Sequence, residues 1–208
     1  MTLPPAGIGD TPGPFAAMIA AMSDPESPSA SAAFAVAGRS ARLVFEPLRA
    51  AHAALLFPLL ADPRLYTYVP DEARATVALL AERFAELEAG APAGTNETWL
   101  NWVIRRAADG AAIGTLQATV EPDARAWLGY MLAPWAWGQG YATEACDWLV
   151  GELARRHGVH ELLASVDVRN AKSIAVLERV GFARVAVCAA ELRGVATTDY
   201  RYLLRVAE

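Results

Sequence analysis

Basic charge is scarce in this 208-residue chain, where 18 Lys and Arg face 23 Asp and Glu. Lys172 is the single lysine. The net charge of −5 argues against general nucleic-acid binding and leans toward a cationic substrate. No basic residue precedes Arg39, so the apolar segment 15–22 lacks the positive flank of a signal peptide. No apolar run approaches the ~18 residues of a membrane span. A cytoplasmic protein without a membrane partner is the expectation. Cysteine is nearly absent: Cys146 and Cys188 make no disulfide framework, and Cys146 falls on the apolar face of a helix. The three histidines, His52, His157 and His160, read as structural or surface residues, and no metal is expected. No Gly-Lys-Ser/Thr triplet is present, which excludes a P-loop.

Hydrophobic residues supply 54% of the chain, ample for a core although much of it is alanine. Residues 1–40 are rich in Ala, Pro, Ser and Gly. Within them 23–31 hold two prolines and four serines, so a mobile extension is expected there, with 15–22 able to form a short helix. A single folded domain is expected over 41–208. A strand at 41–47 leads to a helix at 50–61 with Leu55, Leu56, Leu59 and Leu60 inward and Pro58 bending or splitting it. An aromatic loop follows at 65–70. A helix at 72–88, capped by Asp71, carries the stripe Val77, Leu80, Phe84 and Leu87. Strands at 98–106, 111–121 and 125–133 are joined by short turns, hence antiparallel. A helix at 140–157 and a strand at 161–168 form a parallel crossover. A helix over 170–182 and two strands, 183–192 and 197–206, close the chain.

The run Trp135-Ala136-Trp137-Gly138-Gln139-Gly140-Tyr141-Ala142-Thr143-Glu144-Ala145 sits where a strand turns into a helix. Glycine lets backbone approach a ligand, and the helix start offers unpaired N–H groups and a positive dipole end, a site for phosphates. A dinucleotide fingerprint would need Gly or Ala where Thr143 stands, and Glu161 opens its strand at the wrong end to meet a ribose. The pattern Gln/Arg-x-x-Gly-x-Gly/Ala of the GNAT superfamily of N-acetyltransferases is matched at Gly140 and Ala142, with Trp137 replacing its first residue. A second motif, Asn-x-x-Ser-x-x-x-x-Glu-x-x-Gly-Phe at 170–182, resembles that family's last helix. The Asp199 and Tyr202 spacing is similar to the branch containing the ribosomal-protein N-terminal acetyltransferases.

That resemblance covers about 41–206 and implies an α+β GNAT fold, a mixed, mostly antiparallel sheet of about seven strands flanked by helices. It implies acetyl-CoA as co-substrate and direct transfer of acetyl to a primary amine, either a protein N-terminus or a small-molecule amine. The cofactor-binding set is then Met131, Leu132, Trp137, Gly138, Gln139, Gly140, Tyr141, Ala142, Thr143, Asn170 and Ser173. A backbone N–H at Met131 or Leu132 would polarise the acetyl carbonyl, and Ser173 would protonate the leaving thiolate. Asn170 is equally an N-cap, Ser173 equally a helix-start serine. Lys172 reads as a solvated lysine within reach of a phosphate. No general base stands out, with Glu97 and Asp167 the conceivable ones. Tyr66, Tyr68, Trp99 and Trp102 are the aromatics placed as acceptor-pocket residues, although aromatics in such positions also build cores. A homodimer stays open. The competing reading is a CoA-binding sensor or interaction module without catalysis, which acceptor-dependent thiol release would separate from an enzyme.

Overall fold

The computed structural model describes residues 35–206. The segment 15–22 and most of the expected extension lie outside the described residues. One eight-stranded sheet runs through the molecule, formed by β1 (Gly38–Arg39), β2 (Leu43–Pro47), β3 (Thr98–Arg106), β4 (Ala112–Val120), β5 (Arg125–Leu132), β6 (Glu161–Asp167), β7 (Ala183–Leu192) and β8 (Val195–Arg205). Their spatial order is β1-β2-β3-β4-β5-β6-β8-β7. Every neighbouring pair is antiparallel except β5–β6. Four helices flank the sheet: α1 (Ala53–Leu60), α2 (Val77–Ala89), α3 (Tyr141–His157) and α4 (Ala171–Val180). The sheet starts ahead of residue 41, because Gly38 and Arg39 pair with Phe45 and Val44. That accounts for an eighth strand beyond the seven expected.

Period-two alternation assigns each strand two faces. On one face Phe45, Leu100, Trp102, Leu116, Ala126 and Leu162 meet Leu149 and Leu153 of α3 and Leu177 of α4 in one core. Trp148 anchors it, stacked on Phe45 at 3.8 Å between ring centroids and edge-on to Trp102 at 5.4 Å. On the other face Val103 and Ala112 pack under Leu56 and Leu60 of α1 and Leu80, Phe84 and Leu87 of α2. The first helix pair thus covers the β3–β4 side of that face. The same face over β5, β6 and β8 carries Ser165, Asp167, Asp199 and Arg201 beside Trp127, and opens onto the site.

Three local expectations are revised. The first helix begins as a 3-10 turn, Ala50–His52, before α1. Pro58 sits in the last turn of α1 and does not split it, and the buried residues are Ala53, Leu56 and Leu60, with Leu55 exposed. The second helix starts at Val77 rather than 72, because the Thr76 hydroxyl, not Asp71, accepts the Leu79 N–H as N-cap. Val77 consequently lies at the exposed first turn and leaves the apolar stripe. The later start of the second helix follows from a competing polar cap, which a hydrophobic pattern does not resolve.

Candidate functional site

β5 and β6 pair only through Arg125–Glu161, Ala126–Leu162 and Trp127–Leu163. Beyond that point the strands diverge, leaving residues 128–132 and 164–167 facing one another unpaired. The backbone groups on those edges can be identified from the neighbouring ladders. Ala133 N–H bonds Ile113 O and Glu121 N–H bonds Arg125 O, so the odd-numbered residues of β5 face β4. The N–H groups of Tyr130 and Leu132 therefore point into the gap, while that of Met131 belongs to the β4 ladder. In the same way Val168 N–H bonds Thr198 O and Val206 N–H bonds His160 O, so even residues of β6 serve β8 and Ser165 turns its backbone to the gap. Two facing rows of free amides make a slot for an extended chain that carries amides of its own.

A cavity of about 320 Å³ passes through this gap. On the α3/α4 side it is lined by Leu128, Tyr130, Asn170, Ser173 and Leu177. On the opposite side it is lined by Tyr68, Gln117, Trp127, Ser165, Asp199 and Arg201. The slot thus opens on both faces of the sheet. Near its middle, Tyr130 Oη and Ser173 Oγ are 2.8 Å apart. Burial raises the Tyr130 hydroxyl well above the usual phenol range, so it remains protonated. Asn170 Oδ1 accepts the Ser173 N–H, making it the N-cap of α4, and the residue lines the cavity.

Gly138 and Gly140 lie in the turn between the end of β5 and α3. Both are left-handed, with φ of 73° and 79°. Gly140 is the N-cap of α3, without a side-chain cap, so the N–H groups of Tyr141, Ala142 and Thr143 keep no intrahelical partner. A Cβ on Gly138 would meet nothing within 4 Å, so that side of the turn is open. An adjoining groove of about 730 Å³ is lined by Arg42, Gly138, Gly140, Thr143 and Arg179. Arg42 is fixed beneath the turn: its Nε pairs with Glu144 at 2.6 Å and its Nη1 donates to Gln139 O at 3.0 Å. Burial alone would raise the Glu144 carboxyl, but hydrogen bonds from Ser40 and Arg42 bring it below the usual range. Three free amides around a double-glycine turn, with Arg179 beside them, suit a pyrophosphate, although Arg42 is paired with Glu144 and Asp147 also lines the groove. Trp137 does a different task from the residue it replaces, since its indole donates to Leu132 O at 2.7 Å and ties the turn to the end of β5. Gln139 braces the turn through Trp135 O. Lys172 lies over the Trp137 ring, its Nζ 4.1 Å from the centroid.

Sequence reading and structure part over the acceptor side. Tyr68 lines the gap cavity, with Arg169 over its ring. Tyr66 does not: its hydroxyl donates to Leu60 O at 2.8 Å beside a smaller cavity of about 80 Å³ that shares Gln117 and Tyr130 with the gap, and burial pushes it up to about 12. Trp102 is 0% exposed, its indole bonded to Val36 O, and it is a core residue. Trp99 and Glu97 bond each other at 2.9 Å and line a third cavity away from the gap. Asp167 lines the gap but is held by Arg169 and Thr197, with Arg169 chiefly keeping its carboxyl below the usual range. None of the three histidines lines the gap. Asp199 is the better-placed carboxylate. It accepts the Ser165 hydroxyl at 2.8 Å, and burial raises it above the ordinary 3.8. Tyr130, Arg42, Arg179 and Arg201 were not singled out from sequence. Period two put Tyr130 and Arg201 on opposite faces, but only the splay of β5 from β6 makes both faces open onto one cavity.

No group of three or more metal-ligating side chains occurs among the described residues. No helix there is long and apolar enough to cross a membrane.

Comparison with known proteins gives a consistent picture. Residues 42–183 match the family described as acetyltransferase (GNAT) domain. No curated protein sequence matches the chain. Among solved structures, Mycobacterium smegmatis RimJ in complex with CoA-disulfide superposes with a TM-score of 0.69 at 24% identity, over 78% of this chain and 81% of that one. Microcin C7 self immunity acetyltransferase MccE in complex with acetyl-CoA and AMP gives 0.70 at 19% identity, over 80% and 94%. Ribosomal-protein-S5-alanine acetyltransferase from Vibrio fischeri gives 0.66 at 18% identity, over 82% and 96%.

Proposed function

This chain belongs to the acetyltransferase (GNAT) family and is an N-acetyltransferase with acetyl-CoA as donor; on that premise we propose that it acetylates a primary amine directly, donor and acceptor meeting from opposite faces of the sheet. The observation that carries this reading is the gap between β5 and β6, open on both sides and edged by free backbone amides.

The bound donor supplies an activated acetyl thioester. The free amides at Tyr141, Ala142 and Thr143, with Arg179 beside them, are placed to hold the pyrophosphate. Leu132 and Tyr130 on one edge and Ser165 on the other pair with the pantetheine amides, and the Leu132 N–H is the donor for a carbonyl oxygen as it gains charge. Tyr130 and Ser173, sharing one hydrogen bond, supply a proton at the thiol side. Asp199, on the other face, accepts the proton that the amine must lose to attack. Its raised affinity for protons makes it a stronger base than Asp167, which Arg169 stabilises as the anion. Protein N-termini stay among the acceptors because the fold is shared with a ribosomal-protein-S5-alanine acetyltransferase. Small-molecule amines use the same geometry. Strand β7, at the sheet edge, exposes Val185 and Val187 and is the surface through which a homodimer would form; sedimentation velocity measures it.

The test is acetyl-CoA-dependent thiol release across a panel of amines and N-terminal peptides, with intact-mass analysis of the protein after exposure to donor alone. Acceptor-dependent release with no acetyl left on the protein supports direct transfer. Acetylated protein, abolished by Cys188→Ala, would replace it with a covalent route through the cysteine that lines the same cavity.

A further inference from the structure

The acceptor side of the cavity holds a buried cation that makes no direct ion pair among the described residues and acts on Asp199 only through space. Arg201 is 5% exposed, and its Nε is buried with no hydrogen-bond partner. It takes part in none of the ion pairs found among the described residues. Its neighbour Arg169 differs: that guanidinium has its carboxylate, Asp167, at 2.8 Å from Nε, and its side chain is 56% exposed. Arg201 instead lies over Trp127, its Cζ 4.6 Å from the ring centroid. That contact positions the fork and leaves its N–H edge as the reactive side. Both residues line the through-sheet cavity, together with Gln117 and Thr119. A guanidinium cannot shed its charge to escape burial. An unpaired buried charge is expensive, and a ligand that neutralises it recovers that energy on binding.

Asp199 stands two residues from Arg201 on the same face of β8, about 6.6 Å along the strand. Its carboxylate accepts the Ser165 hydroxyl and, short of a direct ion pair, feels the Arg201 charge. The acceptor mouth, which Asp167 and Glu191 also line, therefore presents a carboxylate and a guanidinium side by side. That is the complement of a molecule carrying an ammonium and an anion close together.

We propose that the acceptor is an amine bearing a nearby carboxylate, the ammonium delivered to Asp199 and the carboxylate bound by Arg201 on its Trp127 platform. The inference rests on the acetyltransferase reading above and narrows its acceptor class. Two sources share this chemistry: the carboxylate of a free amino acid, and an acidic side chain beside a peptide N-terminus.

Matched acceptors separate them. Free amino acids are compared with their amides, and peptides with Asp at the second position with their Asn counterparts, by kcat/KM for thiol release. In parallel, thermal unfolding of the CoA-loaded protein is followed with each acetylated product. The expected result is a preference of roughly tenfold to a hundredfold for the carboxylate member of one pair, the range of a charged hydrogen bond. Which pair shows it identifies the source. Arg201→Gln is expected to reduce that ratio to about one while retaining CoA binding by calorimetry. Arg201→Lys, which keeps the charge, is expected to restore part of it. Equal handling of carboxylate and amide in both readouts by the unaltered protein overturns the inference and leaves the acetyltransferase reading standing. Failure to bind CoA at all removes that reading and this inference with it.

Discussion

Single residues decide the chemistry here through what surrounds them rather than through their type. Asp167 and Asp199 face each other across β6 and β8, yet they have opposite tendencies. Arg169 pulls one carboxyl down, while burial pushes the other up. Activity that depends on ionised Asp199 should fall as pH drops through its raised pKa, above the ordinary 3.8. Asp199→Asn should lower kcat by about 10²-fold or more and flatten that acidic limb in a kcat/KM–pH profile. The stability sign is opposite. A raised folded-state pKa gives a contribution that is present below the unfolded pKa and lost as pH rises through the folded one. At pH 7 ionised Asp199 is thus a burden, and Asp199→Asn should have an equal or higher Tm in a melt at that pH. On the thiol side, Ser173→Ala removes the partner of Tyr130. We expect kcat to fall about tenfold to a hundredfold with little change in KM for acetyl-CoA, checked by steady-state kinetics.

At the level of elements, the turn between β5 and α3 concentrates strain and function in a few residues. Gly140 needs its left-handed φ of 79°, and a Cβ there would come 3.3 Å from Arg42 Nη2. Gly140→Ala should therefore lose about 1–2 kcal/mol of stability for the backbone alone. It should also weaken CoA binding by about tenfold, because Arg42 is displaced and the first amides of α3 are re-aimed. Calorimetric titration with CoA and a thermal melt check the two parts. Gly138→Ala meets no neighbour within 4 Å, so its effect should be the backbone strain alone. The comparison separates crowding of Arg42 from conformational strain.

Across the whole molecule the sheet is a wall between two cores, and the through-sheet cavity exists because β5 and β6 stop pairing after Trp127 and Leu163. Trp148 joins β2, β3 and α3 by packing on Phe45 and Trp102, and Gly38 of β1 passes so close that a Cβ would lie 2.3 Å from its ring. Trp148→Ala should destabilise the fold by about 3–5 kcal/mol, read by chemical denaturation. It should bring β1 down with it. Acetyl-CoA at ~100 times its Kd should add about 2.7 kcal/mol to unfolding, which a ligand-dependent melt detects.

Most of the fold was legible in the chain. Period-two and helical spacing located β3 to β8, α3 and α4 to within a residue or two, and the order of elements, with the two motifs, pointed to the family. Gly138, Gly140 and Asn170 were legible for a physical reason: left-handed turns and caps restrict residue type locally, so spacing alone exposes them. Met131 and Leu132 were both legible as candidate donors, but which of their N–H groups faces the gap depends on ladder phase with β4. The acceptor side was not legible. Trp102 and Tyr68 are both aromatics in polar-apolar contexts, and only tertiary packing sends one into the core and the other to the gap. Arg201 looks in sequence like any strand arginine. That its charge is buried and unpaired depends on β5, β6 and β8 arriving together from distant parts of the chain, and no local pattern encodes which side chains that meeting leaves without a partner.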